Sequence, residues 1–324
     1  MPVTRAALDT ASRAALRAIL AARPEAEAVE YPAVVPEQPG ASDPPLLSAA
    51  EQLEDGPMRA IPVGEATVGF SAFLDGTQRA QILAWSDGAP YVFGTAAAAV
   101  RVRCDRKLRT WEISPPQVQR CLYLPLAYTP GFDARPPELS IVDTTAADLG
   151  PIPSRHPAAL LERALTCLQR DRERVERMQA EAWVAADEGV LCFDGPLPAR
   201  GAARDSVQVI GAIKSHRTLY ADGEALSIVL SLRAMERSPV FAVGGGGRAP
   251  VASWYVRTRN PRGRDALWGL VRLESVRVAG VAARADLVSR WLLAENAPLA
   301  LPDARWDKMT YGVCDCEAFL RAVS

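Results

Sequence analysis

The longest uninterrupted pattern in the chain is helical. Between Leu160 and Ala186, the residues Leu161, Leu165, Leu168, Val175, Met178 and Ala182 form one apolar stripe, and Gly189 ends the run. A helix this long with one apolar stripe needs a layer to lie on. The flanking sequence supplies strands for it. Val68–Leu74 is mostly apolar and runs into Asp75-Gly76-Thr77. Gln81–Trp85 and Tyr91–Phe93 flank the hairpin signal Ser86-Asp87-Gly88, and Ala96–Val102 is a further strand. After the helix come strands at Val190–Phe193 and Val207–Lys214, a helix at Ala225–Leu232, and strands at Pro250–Arg259 and Leu267–Leu273. Helices at Ala283–Glu295 and Cys316–Val323 close the chain. A meander, a long helix and strands that return through crossovers predict an α/β fold with a mixed sheet.

The remaining segments are less regular. Residues 4–22 have helical spacing, with arginines between Leu8, Ala11, Ala15, Leu16, Ile19 and Leu20. Residues 31–63 are proline-rich and read as an extended arm with a short helix at Leu46–Leu53. The expected division is therefore an N-terminal helix and arm at 1–63 and a main domain at 64–324. Within that domain, the polar, proline-punctuated stretch 104–158 is expected as an insertion with strand-like pieces at Leu122–Leu126 and Leu139–Val142. The run Gly244–Gly247 lacks the spacing of a phosphate-binding loop and reads as a flexible connection.

Composition narrows the function classes. With 49% apolar and 23% charged residues over 324, the chain can bury a core and is not disordered as a whole. A net charge of −1 excludes a globally basic nucleic-acid coat protein, so any nucleic-acid contact is local or delivered by a partner. No apolar run reaches the roughly 18 residues of a membrane span, and the N-terminus lacks a signal-like apolar core, so a cytoplasmic protein is expected. The six cysteines are scattered apart from Cys314 and Cys316, and there are two histidines, which argues for reduced thiols rather than a zinc site. Of the 37 basic residues only Lys107, Lys214 and Lys308 are lysines. In an arginine-biased chain, a lysine marks a place where a compact point charge is wanted.

Two apolar strands end alike, in Phe73-Leu74-Asp75-Gly76 and Cys192-Phe193-Asp194-Gly195. Asp-Gly alone is an ordinary turn. If the two strands are neighbours, however, their carboxylates converge, and two charges about 4 Å apart repel by roughly 4 kcal/mol at an effective dielectric near 20. Such a pair needs a shared proton or a cation, and carboxylate oxygens suit Mg²⁺ and Mn²⁺. On the long helix three acids compete to join them. Glu176 borders the apolar stripe, Asp171 lies closer to it, and Glu173 faces nearly opposite. The run Arg101, Arg103, Arg106, Lys107 and Arg109, with Trp111 behind it, is either a phosphate-tracking strand or an exposed charged hairpin. His216 and Arg217 are either phosphate contacts or loop residues.

These motifs, in this order, resemble the NurA family of DNA-end-processing nucleases. The resemblance is carried by Ala72-Phe73-Leu74-Asp75-Gly76-Thr77, Arg172 to Glu176 on the helix, Leu191-Cys192-Phe193-Asp194-Gly195-Pro196-Leu197, Gly211-Ala212-Ile213-Lys214 and Ser253-Trp254-Tyr255-Val256-Arg257. It covers about residue 66 to the end. It implies an RNase H-like mixed sheet flanked by helices, and metal-dependent exo- or endonucleolytic cleavage of DNA. Asp75, Glu176 and Asp194 would hold one or two Mn²⁺ or Mg²⁺ ions, Lys214 would touch the scissile phosphate or orient a carboxylate, and Tyr311 would position substrate or water. A homodimer and a HerA-like hexameric ATPase partner are implied as well, in repair or phage defence; the arm at 1–63 is a candidate for the dimer or the ATPase contact. Two features depart from the family. Asp75 and Glu176 stand 101 positions apart, and no histidine follows Tyr311, where Cys314 or Asp315 takes its place. The rival expectations are a catalytically weak RNase H-like scaffolding subunit and an enzyme acting on small phosphorylated substrates.

Overall fold

A computed structural model describes residues 10–28, 34–35, 45–105, 107–132, 139–151, 154–244, 250–261, 264–296, 308 and 310–323. Residues 4–9 of the expected first helix, much of the proline-rich arm, Arg106 and Gly245–Gly247 lie outside them. In chain order the main elements are α1 (Thr10–Ala22), β1 (Ala72–Ser86), β2 (Ala89–Cys104), β3 (Lys107–Thr110), β4 (Gln117–Leu124), β5 (Ser140–Asp143) and α2 (Pro157–Ala186). They continue with β6 (Leu191–Asp194), β7 (Val209–Ile213), α3 (Gly223–Ser231), β8 (Val251–Arg257), β9 (Leu270–Ser275), α4 (Val281–Glu295) and α5 (Tyr311–Val323).

The pieces expected between residues 68 and 102 are two long strands, not four short ones. β1 and β2 pair antiparallel along their whole length, and the two-residue turn Asp87-Gly88 joins them, with φ of 51° and 77°. Positive φ at both turn residues matches the right-handed twist of the flanking strands. Asp75-Gly76-Thr77, by contrast, is no turn: the strand runs straight through it.

From β2 the sheet continues antiparallel to β4, and from β1 it continues parallel to β6 and then β7. The order β4-β2-β1-β6-β7, with only β2 reversed, is that of an RNase H-like α/β sheet. Its third strand, β4, comes from the stretch 104–158 expected as an insertion. Beyond β7 the sheet extends antiparallel through β9 and β8. Among the described residues fifteen strands, several only two residues long, join this one mixed sheet.

Helices cover both faces. Strand residues alternate between faces, so Ala72 and Leu74 pack against Ala180 and Trp183 of α2. Phe73, Cys192 and Ile210 face the other way, onto Val288 and Leu292 of α4 and Val313 and Cys316 of α5. Ala15 and Ile19 of α1 pack on Leu83, Tyr91 and Phe93 near the hairpin tip. No helix among the described residues is long and apolar enough to cross a membrane.

The arm is stitched to the main sheet rather than detached from it. Residues 51–52 pair with 241–242 and 61–62 with 236–237 in the main sheet, while Leu46–Leu47 pairs with Thr218–Leu219 in a separate two-stranded sheet. The helix expected at Leu46–Leu53 is therefore replaced by short edge strands. The physical cause is a buried ion pair. Arg237, fully buried, donates to both carboxylate oxygens of Glu54 at 2.7 and 2.9 Å, and the Val240 amide donates to the same group. That anchor holds the chain extended along residues 236–237 and 241–242, which in turn pair with β8.

Candidate metal centre

Parallel pairing sets the first two acids side by side. Leu191, Cys192 and Phe193 of β6 stand opposite Ala72, Phe73 and Leu74 of β1, so Asp194 and Asp75 follow at the same level. Asp75 shares a face with Phe73, the face on which α5 lies. α5 docks closely there. A Cβ on Gly312 would overlap the Phe73 ring, and the Cys316 thiol donates to the Phe73 carbonyl at 3.3 Å. One residue on, Glu317 turns its carboxylate toward the strand ends. Asp75, Asp194 and Glu317 each bring an oxygen within 4.8 Å of the others.

The surroundings set the charges. Burial, then the nearby Asp194 carboxylate, pushes the Asp75 pKa well above its ordinary value, with Lys214 acting against them. The Gly76 amide donates to Asp75 Oδ1 at 2.8 Å. Lys214 follows directly on β7 and places its ammonium 2.8 Å from both oxygens of Asp194. Burial opposes that charge, but the Asp194 carboxylate outweighs it and holds the Lys214 pKa above the usual lysine value. A cavity of about 210 Å³ opens over the three acids, with Arg172 and Arg321 on its wall. A second cavity of about 470 Å³ adjoins it at Arg172 and Asp194, between α2 and the loop Gly195–Ala199.

Glu176 comes from α2, on the other face of the sheet, and lines the second cavity together with Arg172 and Asp194. It reaches β1 over Gly76, where a Cβ would overlap its carboxylate, and this close approach explains the glycine in mid-strand. Arg172 donates to Glu176 Oε1 at 3.0 Å, while burial lifts the Glu176 pKa to about 7. A carboxyl whose folded pKa lies above its unfolded value of 4.5 adds stability at low pH. That stability is lost as pH rises through the window from 4.5 to about 7. In EDTA, unfolding free energy should therefore fall across this window, by on the order of 3 kcal/mol from this group. Glu176→Gln should flatten that part of the slope in denaturant titrations at a series of pH values.

The other candidates separate. Asp171 accepts a hydrogen bond from the Tyr123 hydroxyl at 2.6 Å, and Glu173 accepts one from Gln169 on the exposed side of α2. Tyr311, half exposed, opens α5 and does not line either cavity. His216 is turned inward. Its Nε2–H donates to the Leu270 carbonyl at 2.7 Å, and burial drives its pKa down to about 4, so it is neutral at physiological pH. Asp315 pairs with Arg101.

Two members of the basic run, Arg101 and Arg103, prove to be internal architecture, while Lys107 and Arg109 are exposed and Arg106 lies outside the described residues. Arg101 Nε meets Asp315 of α5 at 2.6 Å, its other nitrogens reach Thr110 Oγ1 and the Leu108 carbonyl, and the guanidinium lies over Phe319. Arg103 meets Glu295 of α4 at 2.5 Å and lies over Phe73. Trp111 is buried against Trp183. Period-two spacing aims both arginines at the α4 and α5 face, so they dock those helices rather than track a backbone. Arg101→Met should cost about 1–3 kcal/mol, typical of losing charge-assisted hydrogen bonds. It should also weaken Mn²⁺ binding, because α5 carries Glu317. Urea unfolding and Mn²⁺ titration of the same preparation check both effects.

Three buried or half-buried carboxylates form an all-oxygen donor set whose mutual repulsion a hard divalent cation relieves, so the residues fit Mg²⁺ or Mn²⁺. Glu317 is the member that the sequence motifs do not flag; the signal it leaves is an acid at the edge of the stripe Val313, Cys316 and Leu320. No protein-family model and no curated protein matches the chain, so its function is argued from the geometry above.

Proposed function

We propose that the protein is a metal-dependent phosphodiesterase that cleaves DNA, a nuclease of the NurA type. The observation that carries the reading is the meeting of Asp75 and Asp194 on adjacent parallel strands of an RNase H-like sheet, with Glu317 from the last helix. In this reading these three carboxylates hold the cation, and Glu176 flanks it from the opposite face. A bound Mg²⁺ or Mn²⁺ supplies an activated water and neutralises charge developing on the phosphate.

The chain's own groups bind and orient the substrate. Arg172 and Arg321 stand beside the acids and offer guanidinium donors to phosphate oxygens. Arg172 Nε is buried with no hydrogen-bond partner among the described residues. Lys214 holds the Asp194 carboxylate in place. The adjoining cavity gives room for the nucleotide next to the scissile phosphate, and Pro196 and Pro198 line it on one side.

A near-neutral chain binds free duplex weakly, which favours delivery by a partner. A HerA-like hexameric ATPase and a second copy of the chain are the proposed partners. The exposed pair Leu46 and Leu47 on the arm is the proposed ATPase contact. Size-exclusion chromatography with such an ATPase should show a complex that Leu46→Asp with Leu47→Asp abolishes; an unchanged complex rejects that contact. The activity itself is tested by incubating single- and double-stranded DNA with the protein in Mn²⁺, Mg²⁺ or EDTA. Cleavage confined to the metal-containing reactions is expected. Its absence from folded protein, with and without the ATPase, would leave the scaffolding role.

A further inference from the structure

We infer that the Lys214 ammonium fills the place of a second cation, so that the centre holds one divalent ion rather than two. The inference rests on the proposed reading of the acids as a metal centre and adds how many ions that centre takes.

Three observations carry it. First, a carboxylate that bridges two ions gives one oxygen to each, with the ions about 3.5–4 Å apart. Asp194 is the acid placed to bridge, since it borders both cavities. Both of its oxygens are already engaged by Lys214 Nζ at 2.8 Å. The ammonium is not a loose surface group. Its side chain is 9% exposed, and it follows directly on β7, the strand hydrogen-bonded to β6 along its length. Second, the acid that would complete a second site, Glu176, is compensated by Arg172 at 3.0 Å and approaches from the α2 face. Third, the charges balance at one ion. Asp75, Asp194 and Glu317 with Lys214 leave two negative charges, which a single divalent ion neutralises, and the exposed Arg321 that pairs with Glu317 at 3.3 Å lowers the demand for a second cation further. The choice of side chain fits, because lysine is one of three in a chain otherwise supplied with arginine. A compact ammonium resembles an ion in size where a planar guanidinium does not.

The test counts ions rather than turnover. Protein without DNA is titrated with Mn²⁺, and free Mn²⁺ is read by electron paramagnetic resonance. The wild-type chain should bind one Mn²⁺, Lys214→Arg should also bind one, and Lys214→Met, folded by circular dichroism, should bind two. Two ions on the wild-type chain would overturn the inference whether or not the variants fold. One ion on folded Lys214→Met would overturn it as well, because something other than the ammonium would then exclude the second ion. No Mn²⁺ binding by the wild type would instead overturn the metal reading on which the inference stands.

Discussion

Asp75→Asn should abolish metal-dependent cleavage, by about three orders of magnitude or more, because it removes a charged oxygen donor from the centre of the site. The same substitution should stabilise the metal-free protein at neutral pH. Burial and the Asp194 carboxylate raise the Asp75 pKa, so the folded state resists ionisation that the unfolded chain accepts above its ordinary carboxylate pKa of 3.8. An uncharged amide escapes that penalty. A variant that is more stable in EDTA yet inactive in Mn²⁺ is the signature of an acid kept for function rather than for the fold. Thermal unfolding with and without Mn²⁺ reads this directly: the metal should raise the wild-type Tm and leave that of Asp75→Asn nearly unchanged.

Glu317→Gln should weaken Mn²⁺ binding about 100-fold and lower cleavage with it, as expected for the loss of a ligand or its close support. Glu176→Gln should weaken binding less, because Glu176 lies across the sheet and is tied to Arg172. The comparison ranks the helix acid implied by the NurA resemblance against the one that the fold brings to Asp75 and Asp194. Isothermal titration of both variants with Mn²⁺ checks it. Equal affinity of Glu317→Gln and wild type would remove Glu317 from the centre.

The two anchor acids are legible in the sequence because each follows an apolar strand segment, although only Asp194 ends its strand while Asp75 lies early in β1, and strand pairing does the rest. What the sequence conceals is which Asp-Gly pairs are turns. Asp87-Gly88 and Gly195 adopt positive φ and do turn, while Gly76 sits in mid-strand for want of room beneath Glu176. That difference lies in the packing of α2, which local sequence does not display. The arginines at 101 and 103 misled for a related reason. On an isolated strand they read as solvent-facing, and only the return of α4 and α5 to that face supplies Glu295 and Asp315. Glu317 was hidden because the resemblance points to Tyr311 and to the position of a missing histidine. The docking of Gly312 and Cys316 on Phe73 fixes the rotation of α5 and so selects its acid. The edge strand at 51–52 lies next to the Glu54–Arg237 pair, between groups 183 positions apart, which local sequence does not display.

The most direct test is cleavage of end-labelled single- and double-stranded DNA by wild-type protein, Asp75→Asn and Asp194→Asn, purified in parallel and assayed in Mn²⁺, Mg²⁺ and EDTA. The proposed centre predicts cleavage by the wild type in the metal-containing reactions alone, and none by either variant. Cleavage that persists in both variants, or in EDTA, would contradict it.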